Sequence, residues 1–438
     1  MTTPRIAYVM KRYPRLTETF ILNEIAAMEG LGAKLELFSL LQPEPPPHHP
    51  MVAEIRSPLC VLPPAYFSSL WRLAQAHGRC VSRAPSCYAR ALGRAAGLAL
   101  TTGRLLGIWK QFLRAGFVAD ECVRRNVTLI HAHFANVPAR VAWFASAMTG
   151  IPYSFTTHAK DLYLARAAAL RLIVRDAAFV ATCTQYNADY LRSILNEQDH
   201  SRIHVVYHGV EISRFIQRAA TPRTDRLPPL ILSVGRLVPK KGFRDLIAAC
   251  RALYYNGIRF RCVIVGEGPL RGPLQAAIDR QGLSDLITLT GAMTHADLMA
   301  LYGEADVFVL PSRVVANGDR DGIPNVIVEA MASNVPVVST SVSGIPEVVQ
   351  NGVTGLLVPP ESPTQLAEAL RRLLGERAYG ARLARTARAR VEHEFDCRET
   401  TKALRDLMHG CCCGDAHEEA QAAPVPARPA LSTAEAAE

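Results

Sequence analysis

Short apolar runs alternate with stretches of helical periodicity along the first half of the chain. The apolar runs that predict strands are RIAYVM, KLELFSL, TLIHAHF, IPYSFTTH, AFVATCT and IHVVYHG. Helices are predicted between them for TETFILNEIAAMEGLG, ARVAWFASAMTG and residues 185–195, with Thr17 as N-cap of the first. This alternation of strands and helices predicts a doubly wound parallel sheet.

A polar, proline-rich segment, residues 217–229, predicts a linker to a second unit. Strand-like runs then resume as LILSVG, FRCVIVG, LITLTG, ADVFVLP and VPVVST, each followed by a helical stretch. The pattern predicts an α/β protein with two Rossmann-like units, residues 1–216 and 230–378, and a cleft between them. Helices are predicted over residues 379–408, and the Ala-, Glu- and Pro-rich residues 409–438 are predicted to be disordered.

Residues 66–125 interrupt the first unit with a strongly basic insertion. Two acids, Asp120 and Glu121, accompany ten basic residues: Arg72, Arg79, Arg83, Arg90, Arg94, Arg104, Lys110, Arg114, Arg124 and Arg125. The large apolar residues interleaved with them are Trp71, Leu105, Ile108, Trp109, Phe112 and Phe117. Helices with one apolar and one basic face suit an anionic membrane surface. A solvated basic face over ordinary core residues would give the same pattern.

Composition narrows the class of protein without choosing its ligand. The chain has 438 residues and a formal charge of +10, which suits nucleic acid, phosphorylated ligands or anionic membrane. Its eleven cysteines form no CxxC pair, which predicts reduced thiols in a cytoplasmic protein. The sequence shows no signal-peptide core and no apolar stretch of about 20 residues, so no membrane span is predicted.

Two loops in the second unit carry candidate phosphate-binding residues. In VGRLVPKKGF, Arg236 and Lys241 bracket a turn that begins at Gly235, and two cations at a strand's carboxyl end can hold a diphosphate. In VIVGEGPLRG, Gly266 begins a dinucleotide fingerprint whose third glycine is replaced by arginine. Gly266 would let backbone approach a base or phosphate, or would form a plain turn. The basic loop, likewise, could be merely solvated.

The stretch DGIPNVIVEAMAS places two acids, Asp321 and Glu329, on either side of a Pro-Asn corner. Pro324 fixes the turn, and Asn325 is predicted to cap a helix over residues 326–333, whose N-terminus would attract an anion. Glu329 could accept hydrogen bonds from ribose, and Asp321 from a group beyond the phosphate. The alternative is a structural hydrogen bond at Glu329 and a turn role for Asp321.

Together these motifs resemble those of the retaining glycosyltransferases of family 4. Their usual signature is EGxPNxxxEAMA, in which the first acid corresponds here to Asp321. The stretches KRYPRLTETFILNEI, HAHFA, SFTTHAKDLY and NGDRDGIPNVIVEAMAS resemble the subgroup that builds bacterial exopolysaccharides, including colanic-acid-type enzymes. The resemblance covers residues 5–405. It implies the GT-B fold, with two Rossmann-like domains and a C-terminal helix that crosses back to the first.

The resemblance also implies roles for matching residues in the second domain. Arg236 and Lys241 would hold the donor diphosphate, and Glu329 would hold the ribose. Asp321 would contact hydroxyls of the donor sugar. The residues whose backbone would lie at the sugar and phosphate are Gly322, Ile323, Pro324 and Asn325.

In the first domain, the resemblance implies that His158 faces the donor sugar across the cleft. The loop 13–19 would replace the family's usual glycine-rich loop near the acceptor. Its candidate residues are Arg15, Thr17 and Glu18. His131 and His133 share one face of a strand, and that face is either the cleft or the core.

These observations predict a hexosyltransferase-type glycosyltransferase that uses a nucleotide-sugar, specifically a UDP-sugar. The sequence DRD at 319–321 resembles a metal-binding motif but lies in the donor loop, so no metal and no other cofactor is expected. The predicted acceptor is a lipid-linked oligosaccharide, reached at the anionic inner face of the membrane through the basic insertion, and no nucleic acid is expected to bind. The alternatives are a GT-B nucleotide-sugar epimerase and a non-catalytic nucleotide-sugar-binding protein.

Overall fold

The computed structural model describes residues 4–15, 18–45, 48–63, 67–215 and 228–413. It contains two parallel β-sheets, which the chain forms one after the other, and helices pack on both faces of each sheet. This arrangement confirms the predicted α/β architecture of two Rossmann-like domains. Most of the predicted linker lies outside the described residues.

The first sheet has seven strands: β1 (Arg5–Met10), β2 (Lys34–Ser39), β3 (Leu59–Val61), β4 (Leu129–His133), β5 (Tyr153–Thr157), β6 (Val180–Thr182) and β7 (Ile203–Val205). They lie in the order β3-β2-β1-β4-β5-β6-β7, and every pairing is parallel. Val9 of β1 packs in the core on one face, and Tyr8 packs in the core on the other. Burial on both faces explains why these strands appear in the sequence as nearly continuous apolar runs.

The helices of the first domain are α1 (Thr19–Gly30), α2 (Phe67–Arg83), α3 (Pro85–Thr102), α4 (Leu105–Arg124), α5 (Val137–Thr149), α6 (Lys160–Tyr163), α7 (Ala167–Arg175) and α8 (Gln185–Ile194). Glu18, not Thr17, occupies the N-cap position of α1, and its side chain makes no capping hydrogen bond. The predicted cap was therefore wrong by one residue. Thr17 itself lies outside the described residues.

The second sheet has six strands: β8 (Leu230–Val234), β9 (Arg261–Val265), β10 (Ile287–Gly291), β11 (Val307–Leu310), β12 (Val337–Thr340) and β13 (Leu356–Val358). Their order is β10-β9-β8-β11-β12-β13, again parallel throughout. The remaining helices are α9 (Phe243–Tyr255), α10 (Arg271–Arg280), α11 (His295–Glu304), α12 (Asn325–Ala332), α13 (Ile345–Val348), α14 (Pro363–Gly375), α15 (Arg377–Glu394) and α16 (Cys397–Cys413).

Two strands of the structure, β3 and β13, were not predicted from the sequence. Each has three residues and forms one edge of its sheet. Both lie in short apolar runs beside prolines, PLCVLPP and GLLVPP, which are typical of loops. Strands β6 and β7 also have three residues but lie in longer apolar runs, AFVATCT and IHVVYHG.

Helix α16 crosses back to the first domain, as the resemblance implied. Its residues Leu404 and Met408 are buried in the same core as Ile25 of α1. The helix continues to Cys413, and Cys411 still packs against that core. The prediction that disorder begins at residue 409 was therefore wrong, because apolar packing extends further along the helix. Residues 414–438 lie outside the described part of the chain.

The basic insertion forms α2, α3 and α4, which pack against one another, and α3 and α4 also pack against α5. Of its large apolar residues, Ile108, Phe112 and Phe117 belong to the core. Part of its charge is structural, because the buried Asp120 carboxylate accepts hydrogen bonds from the guanidinium group of Arg79. Within the described residues, no helix is both long enough and apolar enough to traverse a bilayer.

Candidate active site

The carboxyl ends of β8 and β9 form the floor of the cleft in the second domain. Gly235 follows β8, and its amide donates to the Val265 carbonyl at 2.9 Å. Gly266 follows β9 with φ +143°, and a side chain there would collide with the Gly235 carbonyl. Glycine is therefore required for the two loops to lie this close. A contact between Gly266 and the donor remains a prediction.

Lys241 and Asp321 form an ion pair at this floor. The Nζ of Lys241 lies 2.8 Å from Oδ2 of Asp321. The Nζ of Lys240, whose side chain is nearly buried, lies 3.2 Å from Oδ1 of the same carboxylate. The lysine predicted to hold the diphosphate and the acid predicted to contact the sugar therefore belong to one ionic cluster.

Lys240 extends the cluster to Asp319, with 3.0 Å between Nζ and Oδ1. Burial alone would raise the pKa of Asp321, but Lys241 and Lys240 outweigh burial and hold this pKa below its ordinary value. The DRD carboxylates thus face ammonium groups. A diphosphate entering here would compete with Asp321 for Lys241, because phosphate oxygens are also strong partners of ammonium groups.

Helix α12 begins at Asn325 and not after it. Pro324 occupies the N-cap position with φ −65° and makes no side-chain capping bond, so the prediction that Asn325 caps this helix was wrong. The ring of Pro324 fixes the backbone just before the helix, but no described side chain caps the first amides of α12. Ile323, in the same turn, packs beside Gly344.

Glu329 lies one turn into α12 and is held by Tyr302. The Tyr302 hydroxyl donates to its Oε2 at 3.1 Å. Burial raises the pKa of Glu329 to about 7, although this hydrogen bond works in the opposite direction. In the described part of the chain, no cation pairs with Glu329. Its remaining acceptor capacity suits hydroxyl groups of a ligand.

His158 follows β5 and lies on the first-domain side of the cleft. Its backbone N–H donates to the Asp161 carboxylate at 3.0 Å, and its Nδ1 lies 2.9 Å from Nε2 of His208. Burial and the neighbouring imidazoles hold the pKa of His158 well below its usual value, so its ring is neutral. Its other nitrogen, Nε2, is buried and has no hydrogen-bond partner among the described residues.

The loop that carries Asp321 and precedes α12, here the donor loop, contacts the first domain at the residues that follow β6. A side chain placed at Gly322 would meet the Thr184 methyl group at 3.4 Å and the Cys183 sulfur at 3.7 Å. A ring nitrogen of His158 lies within 4.8 Å of that sulfur. The structure therefore brings His158 close to the loop that carries Asp321, and contact of His158 with a donor sugar stays a prediction.

Glu347 joins the two domains at the same end of the cleft. Its carboxylate accepts hydrogen bonds from the backbone N–H groups of Gln185 and Tyr186, both at 2.8 Å, and from the Tyr207 hydroxyl at 3.0 Å. The amides at the N-terminus of α8 lack partners within their own helix, so a carboxylate from the other domain completes them. Arg320 of the donor loop adds a hydrogen bond to the Tyr186 hydroxyl.

In the predicted acceptor-side loop, Arg15 pairs with one acid inside the loop and one outside it. Arg15 donates to Glu18 at 2.6 Å and to Glu44 at 2.8 Å. Phe20, just beyond this loop, places its ring centroid 4.9 Å from that of His158. The loop and His158 therefore share one wall, and contact of the loop with an acceptor remains a prediction.

His131 and His133 belong to the core of the first domain. Both are fully buried. The ring nitrogens of His131 lie 2.8 Å and 3.0 Å from the hydroxyls of Ser154 and Thr156. His133 faces Glu24 at 3.2 Å. Burial alone would raise the pKa of Glu24, but the neighbouring imidazoles and a tyrosine hydroxyl lower it to about 2.

Arg236 shares a loop with Lys241, but its side chain is exposed at the rim. The sequence did not predict five residues that the structure places in or beside the cleft: Lys240, Cys183, His208, Tyr302 and Glu347. Lys240 carried a signal, since it stands next to Lys241 in the same motif. The others carried none, because only the fold brings them to the cleft.

Comparison with known families accounts for both domains. Residues 80–214 match the model described as Glycosyltransferase Family 4, and residues 217–390 match the model described as Glycosyl transferases group 1. The two matches follow one another almost without a break.

Two curated relatives are also named as glycosyltransferases. Amylovoran biosynthesis glycosyltransferase AmsK of Erwinia amylovora is 37% identical over 207 residues, which are 47% of this chain and 50% of the relative. WcaL of Escherichia coli, a glycosyltransferase provisionally assigned to colanic acid biosynthesis, is 38% identical over 208 residues, 47% of this chain and 51% of the relative. The chain thus spans about half the length of the curated relatives it matches.

Among solved structures, Anabaena HepE in complex with UDP and glucose resembles this fold with a TM-score of 0.67 at 18% identity, over 93% of this chain and 100% of HepE. That identity is low, so the likeness supports the fold alone. The family matches and the curated relatives go further: the chain belongs to the glycosyltransferases, with a family 4 first domain and a group 1 second domain.

Proposed function

We propose that this protein is a retaining glycosyltransferase that moves a sugar from a nucleotide-diphosphate sugar to a lipid-linked oligosaccharide in exopolysaccharide synthesis. The observation that carries the proposal is the ionic cluster of Lys240, Lys241 and Asp321, placed at strand ends just before α12. Such a site can exchange a carboxylate for a diphosphate, while Glu329 remains available for ribose. UDP is the proposed nucleotide, by analogy with the HepE complex.

The proposed chemistry needs no covalent enzyme nucleophile. The acceptor oxygen forms its bond to the anomeric carbon on the face from which the diphosphate departs, and the leaving phosphate takes the acceptor proton. Lys241 and the amides of α12 would stabilise the negative charge that develops on the diphosphate. The facing walls of the cleft would orient the two substrates.

Metal independence is part of the proposal. Its support is that both DRD carboxylates lie against the Lys240 ammonium group, at 3.0 Å and 3.2 Å. Lysines can neutralise the diphosphate in place of a divalent cation. We expect transfer to continue in EDTA. Loss of transfer in chelator, with recovery on adding Mg²⁺ or Mn²⁺, would contradict this part of the proposal.

The proposed acceptor requires access to the cytoplasmic face of a membrane. The turn between α3 and α4 exposes three leucines, with Leu100 at 86%, Leu106 at 77% and Leu105 at 68% exposure. Arg104 and Lys110 stand beside them and are also exposed. An apolar tip with adjacent cations suits anionic lipid, and its attraction should weaken with salt.

A vesicle experiment tests this surface. Wild-type protein should float with anionic vesicles and less with neutral ones, and changing all three leucines to Ser should abolish flotation. The matched control changes the exposed Tyr254 and Tyr255 of the second domain to Ser, which should leave flotation intact. Equal flotation of both variants would contradict a role for the α3–α4 tip.

Activity is tested with purified protein and a panel of nucleotide-sugars, by measuring diphosphate release with and without a lipid extract. We expect release of UDP that depends on the extract and forms a glycosylated lipid. Conversion of a nucleotide-sugar without any acceptor would indicate the epimerase instead. Binding without turnover under every condition would indicate a non-catalytic binding protein.

A further inference from the structure

His158 and His208 form a directly hydrogen-bonded pair in the first-domain wall. His158 follows β5 and His208 follows β7, and the facing nitrogens, Nδ1 and Nε2, are 2.9 Å apart. The two rings are nearly coplanar, with 20° between their planes and 4.9 Å between their centroids. This is the edge-to-edge geometry of a hydrogen bond between imidazoles.

The Cys183 sulfur lies within 4.8 Å of a ring nitrogen of each histidine, so the three residues could be taken for a metal site. The imidazole geometry argues otherwise. At 2.9 Å, in nearly coplanar rings, the two nitrogens point at each other and not at a shared third point. Tetrahedral zinc requires its ligand atoms to converge on the ion at about 2.0–2.3 Å. A proton, and not a metal ion, fits between these rings.

Aromatic packing fixes both rings in place. The Phe20 ring centroid lies 4.9 Å from that of His158 and 4.6 Å from that of His208, and the Phe134 centroid lies 4.3 Å from that of His158. Burial lowers the pKa of His208 to about 4, and that of His158 also lies well below its usual value. The pair is therefore neutral near pH 7, and a single proton lies between the facing nitrogens.

That proton can belong to either ring, and the choice decides the chemistry of the cleft. If His208 donates, Nδ1 of His158 accepts and Nε2 of His158 carries a hydrogen. If His158 donates, its Nε2 is left as an acceptor. Nε2 is the buried atom without a partner among the described residues. A nucleotide-sugar offers this atom phosphate oxygens, which only accept, and hydroxyls, which can also accept.

We propose that His208 is a positioning residue: it donates Nε2–H to Nδ1 of His158 and so keeps Nε2–H of His158 available as a neutral hydrogen-bond donor to the sugar nucleotide. The inference that the ligand is a sugar nucleotide rests on the proposed function. The choice of tautomer is argued from the acceptor atoms of that ligand and so rests on it too, but the tautomer can be measured without any ligand, so the two can fail separately.

The tautomer is tested by NMR on full-length protein labelled with ¹⁵N-histidine, with the His158 signals assigned by their loss in His158→Gln. We expect wild-type His158 to carry its proton on Nε2. In His208→Phe, which keeps the aromatic packing but cannot donate, the signals should shift toward a mixture of both tautomers. A wild-type His158 protonated on Nδ1 would overturn the proposal, whether or not the protein transfers sugar.

Kinetics supply a second readout. His208→Phe should lower kcat by about tenfold with little change in donor KM, as expected when one hydrogen bond specific to the reacting state is lost. His208→Gln, whose amide can still donate, should recover most of that loss. Equal losses in both variants would indicate packing alone and overturn the proposal. If the wild type transfers no sugar, the proposed function fails, and the NMR result still decides the tautomer.

Discussion

The second-domain wall of the cleft is ionic, whereas the first-domain wall consists of neutral rings. On one side, the ammonium groups of Lys240 and Lys241 lie 3.2 Å and 2.8 Å from the Asp321 carboxylate. His158 and His208, with pKa values lowered by burial, face them from the other. The ionic wall can form ion pairs with a charged ligand, whereas the neutral wall can offer a ligand only hydrogen bonds and a complementary shape.

This contrast suits a ligand that is itself asymmetric. A nucleotide-sugar carries its negative charge on the diphosphate, while its sugar is neutral. An ionic wall stabilises a departing diphosphate, and a neutral wall avoids holding an uncompensated buried charge beside the sugar. The contrast therefore predicts that substitutions in the two walls have different kinetic effects.

The largest effect is expected from Lys241→Ala. In the proposed reaction, Lys241 lies where negative charge grows as the sugar–phosphate bond breaks. Loss of a charge-assisted contact should lower kcat by roughly tenfold to a hundredfold or more. Steady-state kinetics with the best donor measures this loss. The control is Lys402→Ala, at an exposed position on α16. A normal kcat with a raised donor KM would place Lys241 in ground-state binding only.

The next effect is the pH dependence of donor binding through Glu329. Burial raises the pKa of this carboxyl group to about 7. Ribose hydroxyls need the ionised carboxylate as acceptor, and the ionised fraction increases as pH rises through that value. Donor affinity should therefore be about tenfold higher at pH 8 than at pH 6, since a group with pKa 7 is roughly nine-tenths protonated at pH 6. Calorimetry with an intact nucleotide-sugar measures it, because that ligand has no terminal phosphate titrating in this range.

The control for the pH effect is Glu329→Gln, which cannot ionise. This variant should bind the donor weakly, and its affinity should not change with pH over the same range. A wild-type profile equally flat would show that Glu329 does not contact the donor, and would favour the structural role that its hydrogen bond from Tyr302 also allows.

Asp321→Asn should have a smaller effect of opposite sign, because it should raise the affinity for free UDP. If the diphosphate binds Lys241 as proposed, Asp321 competes with it, so neutralising Asp321 should tighten UDP binding by about twofold to fivefold, as for a partly exposed ion pair. Sugar transfer should nevertheless fall, because the proposed contact with the sugar hydroxyls is weakened.

Asp319→Asn is the matched control for Asp321→Asn. Asp319 pairs with Lys240 but not with Lys241 among the described contacts. It should change UDP affinity less and leave transfer closer to normal. Weaker UDP binding in Asp321→Asn would mean that Asp321 organises the lysines for the diphosphate and does not compete with it.

The two walls also differ in how well the sequence predicted them. Arg236, Lys241, Asp321 and Glu329 fall in two short motifs, so spacing and resemblance located them. His208 lies 50 residues after His158. The two meet only because the parallel strands β5, β6 and β7 lie side by side. The Asn325 cap failed for a local reason, since Pro324 fixes the turn before the helix. Strands β3 and β13 were missed because their short apolar runs stand beside prolines.

The smallest effect on kcat is expected at the contact that holds the walls together. Glu347 accepts two backbone N–H groups from α8 across the domain boundary at 2.8 Å. In Glu347→Gln an oxygen acceptor remains, but the negative charge at the helix N-terminus is lost. That charge is worth about 0.3–1 kcal/mol, so the ratio of closed to open domains should fall only by about twofold to fivefold.

Small-angle scattering of the protein without donor should therefore show a slightly larger radius of gyration for Glu347→Gln, and kcat should change little once donor closes the cleft. The control is Glu368→Gln, an exposed glutamate that pairs with Arg371 within α14. If Glu347→Gln scatters as the wild type does, then the rest of the domain contact, including Arg320 with Tyr186 and the close approach of Gly322 to Thr184, suffices to keep the ionic and neutral walls face to face.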